Sequence, residues 1–171
     1  MSDGLKLAIV GAAADKFDAN TEATARQLIS EWIQDYSPSE VISGGCHLGG
    51  VDAWAIEYAD FMGVPSRIYL PKERKWSTGY RLRNIQIAQA ADKVLCIAVR
   101  TFPKDYQGLR FPYCYHCRPT KRRDQHIKSG GCWTCKFARS LDKPASTVII
   151  GEYEDDHDSE TDEGMLGPLS G

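Results

Sequence analysis

Short apolar runs alternate with segments of helical periodicity along this chain, and this alternation constrains the fold more than any other feature. Five runs have the length of strands: residues 5–10, 40–43, 66–70, 93–99 and 146–150. The intervening segments place apolar residues at helical spacing, with Asn20 or Thr21 as the predicted cap of the first helix. The alternation predicts an α/β fold, a parallel sheet of about five strands with helices on both faces.

The stretch from Val41 to Asp52 joins a strand to a helix through two glycine pairs. The pair Gly44-Gly45 ends a β-branched run, and the pair Gly49-Gly50 leads into a helical pattern. Such a turn lets backbone N–H groups bind a phosphate or carboxylate. It therefore predicts a ligand site, with a turn that only reverses the chain as the alternative. Asp52 is expected either to accept a ribose hydroxyl or to cap the helix.

Composition and length are those of a globular, soluble protein. The chain has 171 residues, of which 42% are hydrophobic and 26% are charged. This length suits one domain with a buried core. No apolar run approaches the roughly 20 residues of a membrane span, and residues 1–6 do not resemble a secretory signal. We therefore expect a cytoplasmic protein with no membrane partner.

Charge is distributed unevenly along the chain. Residues 152–171 contain eight acidic side chains and no Lys or Arg, whereas residues 100–139 contain ten Lys or Arg and two Asp. The acidic segment has too few apolar residues to offset the entropy lost on ordering. We expect a domain over residues 1–151 and an acidic disordered tail over 152–171. A minority interpretation makes the tail a nucleic-acid mimic or a cover for the basic segment.

Residues 100–135, hereafter the insert, interrupt the alternation and carry two Cys-x-x-Cys pairs. Fourteen residues separate the pairs, which is zinc-ribbon spacing, because each pair presents two thiolates and four complete a tetrahedron. The predicted ligands of one structural Zn²⁺ are Cys114, Cys117, Cys132 and Cys135. His116 or His126 is the alternative for one ligand, and two disulfides or free thiols are the alternatives to metal.

The insert is also rich in aromatic and basic residues. This mixture is typical of single-stranded nucleic-acid binding, and equally of a lid over a ligand site or of an oligomer contact. A second basic region lies at the start of the third helix, where Arg81, Arg83 and Asn84 are suited to bind a phosphate. A solvated basic face is the alternative there.

Several short motifs, in this order and spacing, resemble the SLOG superfamily of Rossmann-like domains, in particular its small YspA-like branch. They are Leu7-Ala-Ile-Val-Gly11, Val41-Ile-Ser-Gly-Gly45 with Gly50-Val-Asp52, Ala55-Ile-Glu-Tyr-Ala59, Tyr80-Arg-Leu-Arg-Asn84 with Ile87-Ala88, Ala91-Asp-Lys-Val94, and Gly130-Gly131 before Ala138-Arg139. The resemblance covers residues 5–150 apart from the insert. Relatives include the LOG nucleotide phosphoribohydrolases, the molybdenum-cofactor carrier proteins and the DNA-processing protein A family.

The resemblance implies a nucleotide or nucleoside-derived ligand over the strand ends, in a dimer or higher oligomer. With the glycine and arginine motifs, the predicted ligand-binding residues are Gly11, Gly44, Gly45, Gly49, Gly50, Asp52, Arg81, Arg83, Asn84, Gly130 and Gly131. The chain departs from the branch after Gly11, where Ala12-Ala13 replace the usual Ser-Arg. It also departs from the phosphoribohydrolases, which place a glutamate shortly after their last glycine motif, where this chain has Cys135-Lys136-Phe137.

Two functions follow as hypotheses. The first is a protein that binds a nucleotide-like small molecule and, if it is an enzyme, cleaves an N-glycosidic bond. The carboxylates available for such chemistry are Asp15, Asp18, Asp52 and Glu57, and spacing alone selects none of them. The second is a nucleic-acid-binding or assembly module that uses the insert, with the Rossmann-like core as scaffold.

Overall fold

A computed structural model describes residues 4–111, 113–118 and 121–152, and it contains a five-stranded parallel sheet. The strands are β1 (Lys6–Gly11), β2 (Glu40–Gly44), β3 (Ser66–Tyr69), β4 (Lys93–Val99) and β5 (Ala145–Ile150). Their order across the sheet is β3-β2-β1-β4-β5, and every neighbouring pair is parallel. The predicted fold class is confirmed. The predicted acidic tail lies outside the described residues, apart from Glu152.

Four α-helices cover the two faces of the sheet. They are α1 (Ala19–Tyr36), α2 (Val51–Phe61), α3 (Arg81–Ala90) and α4 (Gly130–Ser140). Short turns of 3₁₀-helix cover Ala14–Lys16 and Arg122–Asp124, and a π-helical turn, Trp76–Tyr80, runs directly into α3. None of the described helices combines the length and apolar character that a membrane span requires.

Alternate residues of β1 divide the core between the two faces. Leu7 and Ile9 pack with α1 and α2, whereas Ala8 and Val10 pack with α3 and α4, and all four side chains are buried. Burial on both faces explains why the strands are continuous apolar runs rather than alternating ones. The sequence therefore shows where the strands are but not which face each helix covers.

The cap of the first helix lies two residues before the nearer of the two predicted caps, Asn20 and Thr21. Asp18 is the N-cap, because its Oδ1 accepts a hydrogen bond from the Thr21 backbone N–H at 2.8 Å. The Thr21 hydroxyl lies 2.9 Å from the Asp18 backbone N–H and accepts from it, which completes a capping box. The prediction of Asn20 or Thr21 as cap was therefore wrong, since Thr21 is instead the third helical residue.

The order in which strands are added to the sheet reverses at the boundary between β1 and its neighbour β4. Strands β2 and β3 lie on one side of β1, and β4 and β5 lie on the other. In such open parallel sheets a ligand crevice forms beyond the carboxyl ends of the strands at this switch point. The insert leaves from the carboxyl end of β4 and returns to it, since the Ile127 N–H donates to the Val99 carbonyl at 3.0 Å. The insert is thereby placed over the crevice.

Candidate ligand-binding cleft and metal centre

A cavity of about 1070 Å³, hereafter the cleft, opens at the carboxyl ends of β1 and β4. Its base is formed by Gly11 at the end of β1, Asp52 of α2, Arg83 of α3 and Gly130-Gly131 of α4. Residues of the insert form the opposite wall. The insert therefore covers the cleft, which is the position that its predicted role as a lid requires.

Asp52 and Arg83 meet above the Cα atom of Gly44. A Cβ at Gly44 would collide with Nη1 of Arg83 and would lie 2.8 Å from Oδ2 of Asp52. A residue with a side chain at position 44 would have to displace both groups, which glycine avoids. It supports the cleft from below and is not part of its lining.

Asp52 is a buried carboxyl group, with only 7% of its surface exposed. Its Oδ1 accepts a hydrogen bond from the Gly11 backbone N–H at 3.2 Å, which ties α2 to the end of β1. Burial raises the pKa of Asp52 to about 7, while the nearby Arg83 guanidinium and the Gly11 hydrogen bond act in the opposite direction. The carboxyl group is therefore poised between its charged and neutral forms near neutral pH.

Arg83 presents an unused hydrogen-bond donor at the cleft. Its Nε donates to Oδ1 of the buried Asn84 at 2.8 Å, and its guanidinium lies over the Tyr80 ring at 5.6 Å. These contacts fix the orientation of the guanidinium. Its Nη1 is buried and has no hydrogen-bond partner among the described residues. A buried donor without a partner costs about 1–3 kcal/mol, so the position favours an anionic ligand.

The first turn of α4 faces the same space. Gly131 packs tightly against the strand ends, since a Cβ there would lie 2.6 Å from the Cys96 Sγ and 3.3 Å from the Gly11 Cα. At Gly130 a Cβ would meet nothing within 4 Å. The Ser129 cap makes no side-chain hydrogen bond to the helix. The N-terminus of α4, with its partial positive charge, is thus open to the cleft.

The second glycine pair has a packing role. Gly49 and Gly50 have φ values of 73° and 96°, which favour glycine. A Cβ at Gly50 would lie 2.5 Å from the Ala14 nitrogen, and the Val51 N–H donates to the Ala12 carbonyl at 3.1 Å. The loop after β1 therefore covers the N-terminus of α2.

Of the predicted ligand-binding residues, six line the cleft: Gly11, Asp52, Arg83, Asn84, Gly130 and Gly131. The structure places the other five outside the lining: Gly44, Gly45, Gly49, Gly50 and Arg81. Gly45 lies against Leu70, and Arg81 is exposed at the start of α3.

Sequence reasoning missed several lining residues on α4 and in the loops. Trp133 and Phe137 stack with centroids 5.4 Å apart and planes 4° apart, and Trp76 meets Trp133 edge-on at 5.2 Å. The spacing of Trp133 and Phe137, four residues apart, was the available signal, because it places both rings on one helix face.

The lining of the cleft is strongly basic. Among its described residues the cations are Lys16, Arg83, Arg118, Lys128 and Lys136, and Asp52 is the one carboxylate. Low-dielectric walls concentrate the field of such a group and attract anions.

The other candidate catalytic carboxylates lie elsewhere. Asp18 caps α1, Asp15 pairs with Lys16 at 3.5 Å, and Glu57 pairs with Arg26 at 3.1 Å on the surface. Of the four candidates, only Asp52 faces the cleft.

Three cysteines and one histidine come together where the insert meets α4. The ligand atoms of Cys114, Cys117, His126 and Cys132 all lie within 4.8 Å of one another. His126 Nε2 is 3.3 Å from the Cys117 Sγ and 3.7 Å from the Cys132 Sγ. Ligands around a tetrahedral Zn²⁺, at about 2.3 Å for sulfur and 2.0–2.1 Å for nitrogen, are separated by similar distances. This group could hold a metal ion.

The histidine is oriented as a metal ligand would be. His126 is buried, and its Nδ1 lies 2.7 Å from the Ile127 carbonyl, to which an Nδ1–H donates. That tautomer leaves the Nε2 lone pair directed at the cysteines, an arrangement common among metal-binding histidines. Hydrogen bonding among the thiols also lowers the pKa of Cys114, chiefly through Cys117.

The group differs from the predicted four-cysteine set at one position. Cys135, the predicted fourth ligand, lies one turn further along α4, and its Sγ donates to the Ser146 carbonyl of β5 at 3.7 Å. His126, which the sequence offered as an alternative ligand, takes its place in the group. All six cysteines are free, so the disulfide alternative is not realised in this structure.

The fold is similar to two solved structures. One is DNA processing protein A (DprA) from Streptococcus pneumoniae, with a TM-score of 0.55, 15% identity, and coverage of 89% of this chain and 52% of that chain. The other is the molybdenum cofactor carrier protein from Chlamydomonas reinhardtii, with a TM-score of 0.53, 15% identity, and coverage of 86% of this chain and 78% of that chain. This chain thus spans about half the length of DprA.

No model of a known protein family matches the sequence, and no curated protein sequence matches it. Both similar structures come from groups that the sequence motifs had indicated, a DNA-processing protein A and a molybdenum-cofactor carrier. The predicted resemblance is therefore confirmed at the level of the fold, which this chain shares with those two proteins.

Proposed function

We propose that the cleft binds a nucleotide or a nucleoside-derived ligand. The observation that carries this proposal is that Arg83, a lining residue, has a buried Nη1 without a partner among the described residues, and that the N-terminus of α4 lines the same cleft. A phosphate supplies what both features lack, because its oxygens accept hydrogen bonds from a guanidinium and from helix N–H groups.

The walls of the cleft suit the remainder of a nucleotide. The Trp76–Trp133–Phe137 group offers ring faces and edges on which a base would stack. Asp52 lines the cleft, and a carboxylate there would accept a hydrogen bond from a ribose hydroxyl. The cleft volume is ample for a ligand of this size.

The similar structures support a ligand of this chemical kind. One is named for DNA processing and the other for carrying the molybdenum cofactor.

Calorimetric titration with AMP, ADP and ADP-ribose tests the proposal. At least one should bind, and Arg83→Gln should weaken that binding by about 10–150-fold, since a hydrogen bond to a charged group contributes about 1.5–3 kcal/mol. Arg81→Gln is the matched control, because Arg81 lies on the same helix but is exposed and outside the lining. Absence of binding by all three ligands, or equal losses in the two variants, would contradict the proposal.

The proposal is for binding rather than turnover. Asp52 is the one carboxylate among the described lining residues, and its Oδ1 is already engaged by Gly11. Chromatography of AMP incubated with the protein would detect released adenine. We expect none; release that Asp52→Asn abolishes would extend the function to N-glycosidic hydrolysis.

Nucleic-acid binding is the second candidate function. The observation that favours it is a set of exposed insert residues: the aromatic side chains Phe111, Tyr113 and Tyr115 and the cations Lys121 and Arg123. Of these, Phe111 and Tyr115 also line the cleft. Such residues contact bases and phosphates of a single strand. Reversing Lys121 and Arg123 to Glu should then weaken oligonucleotide binding and reduce its dependence on salt. Unchanged binding would dismiss this function.

We also infer that the Cys114, Cys117, His126 and Cys132 group holds a structural Zn²⁺. Three thiolates and one imidazole form a closed tetrahedral set, with no position left for substrate. The ion would join the insert to α4, and so fix the wall of the cleft. Purified protein should contain about one zinc per chain. Cys117→Ser should lose most of it, whereas Cys135→Ser should retain it; the reverse result would restore the four-cysteine site.

A homo-oligomer remains a prediction, and the edge of the sheet is its proposed interface. Strand β3 is an edge strand, and Ile68 and the adjacent Leu70 are 48% and 67% exposed. Unpaired edges with apolar side chains favour association. Sedimentation should show a species larger than the monomer that Leu70→Glu dissociates. A monomeric parent would remove the prediction.

A further inference from the structure

Two separate aromatic groups line the cleft, and they lie toward opposite faces of the sheet. Phe102 packs against the core formed with α1 and α2, and it stacks on Tyr106 with centroids 4.5 Å apart. Phe137 packs against the core formed with α3 and α4, and belongs to the Trp76–Trp133–Phe137 group. The carboxyl edge of the sheet lies between them. The cleft therefore offers two stacking surfaces, whereas a mononucleotide has only one base.

Each aromatic group is accompanied by cations. Lys16 Nζ lies 5.5 Å from the centre of the Tyr106 ring, and the Arg110 guanidinium lies 5.5 Å from the centre of the Phe102 ring. On the other side, Lys136 lines the cleft next to Phe137 along α4. Cations beside ring faces bind phosphates that flank a stacked base.

The anion-binding features lie at the base of the cleft, where its two sides meet. Gly11 ends the central strand β1, and Gly131 packs against its Cα. Arg83 and the N-terminus of α4 complete this central part. The order across the cleft is thus aromatic group, anion site, aromatic group.

Size and charge agree with a ligand larger than a mononucleotide. The volume of about 1070 Å³ lies at the upper end of the range of about 300–1,000 Å³ for small-molecule sites. The excess of cations among the lining residues, noted above, suits a ligand with more than one negative charge.

We infer that the cleft binds a dinucleotide unit, two bases joined through phosphate, with one base at the Phe102–Tyr106 pair and the other at the Trp76–Trp133–Phe137 group. This inference rests on the proposed nucleotide-binding function and specifies its ligand class. The unit is either a free dinucleotide or two successive nucleotides of a single strand, since both present the same bases and phosphate.

The test compares three adenine probes by calorimetry at one salt concentration: AMP, the 5′-phosphorylated dinucleotide pApA, and a single-stranded RNA of twelve adenines. Stacking of one base is worth about 5–150-fold in affinity. We therefore expect pApA to bind at least about 10-fold more tightly than AMP.

Two variants assign the bases to the two groups. Tyr106→Leu and Trp76→Leu keep apolar bulk but remove the ring, and each should weaken pApA binding by about 10-fold. AMP binding should be sensitive to only one of them. Tyr36→Leu is the matched control, because Tyr36 is an exposed tyrosine at the end of α1 and lies outside the lining. Melting temperatures verify that all three variants fold.

The outcomes separate this inference from the proposed function. Equal affinities for AMP and pApA, or a pApA affinity that one ring variant leaves unchanged, would overturn the dinucleotide inference and leave nucleotide binding in place. Failure of all three probes to bind would overturn both. If pApA binds as tightly as the twelve-residue strand, the natural ligand is a free dinucleotide. Tighter binding of the strand, with a steeper salt dependence, identifies a single strand as the source.

Discussion

Replacing Gly131 by alanine should destabilise the protein, whereas the same replacement at Gly130 should not. The two glycines are adjacent in the first turn of α4, and the chemical change is identical. At position 131 the new Cβ would lie 2.6 Å from the Cys96 Sγ and 3.2 Å from the Val10 Cγ2. At position 130 it would meet nothing within 4 Å. The pair therefore tests how closely α4 approaches the strand ends.

The magnitude follows from two opposing contributions. An extra methyl in a packed core costs about 1–3 kcal/mol. Alanine is favoured over glycine in a helix by about 0.8–1.0 kcal/mol, and this gain is similar for both variants. The difference in their free energies of unfolding therefore reflects the collision, and should be about 1–3 kcal/mol. In a protein of this size that corresponds to roughly 2–12 °C in melting temperature.

Urea denaturation measures this difference directly. A second pair of variants, made in a Cys96→Ala background, serves as the control. Removing Sγ relieves the closest contact, so the difference between the two alanine variants should shrink. It should not vanish, because the contact with Val10 remains. Equal stability of Gly131→Ala and Gly130→Ala in the parent background would refute the packing argument.

Three further predictions concern the base of the cleft and the first helix. Gly44→Ala should lower the free energy of unfolding and weaken ligand binding at least several-fold, because its Cβ would displace Arg83 and Asp52. An unchanged affinity by calorimetry would contradict this. With a folded pKa of about 7 against an ordinary 3.8, Asp52 holds more protons when folded. Protonation of Asp52 therefore stabilises the fold fully below about pH 4, and this contribution is lost as the pH rises through about 7. Urea titrations should show the parent losing up to about 4 kcal/mol of its free energy of unfolding over this range, and Asp52→Asn should not show this loss. Removing the N-cap by Asp18→Ala should lower the free energy of unfolding by about 1 kcal/mol, whereas Asp15→Ala, at a surface pair, should change it by less than about 0.5 kcal/mol.

Binding of an anion beside Asp52 should raise the pKa of its carboxyl group, because a nearby negative charge disfavours the carboxylate. Arg83 is the charged group that acts on this carboxyl, and it favours the charged form. A phosphate that engages Arg83 removes part of the field that favours the carboxylate. Ligand binding should therefore be accompanied by proton uptake near pH 7, which calorimetry in buffers of different ionisation enthalpy would detect; binding without proton exchange would contradict it.

The elements of the fold could be predicted from the sequence because burial on both faces of a parallel sheet leaves a clear pattern. Strand β4, for example, is a run of seven residues from Lys93 to Val99, of which six are buried. Helix α4 was equally clear, since Gly130-Gly131 marks its start and its apolar residues recur at helical spacing. The boundary of α1 was not, because Asp18, Asn20 and Thr21 are all suitable caps and only the hydrogen bonds decide among them.

The metal group shows where spacing stops being informative. Two Cys-x-x-Cys pairs predict four converging thiols, but Cys132 and Cys135 lie on a helix, about 4.5 Å apart along its axis. The fold directs Cys135 toward β5 and brings His126 from the insert to the other three ligand atoms. Which donors converge depends on the path of the insert, which has no periodic pattern.

The sequence alone was enough to predict the order of strands and helices and to identify the glycine and arginine motifs and the cysteine-bearing insert. These are local properties, set by periodicity, by backbone conformation and by residue type. Which of these motif residues line the same cleft depends on the tertiary structure. It placed Arg83, Asp52 and the start of α4 in the cleft and used Gly49 and Gly50 for packing, because these contacts join residues far apart in the chain and depend on how the helices dock on the sheet.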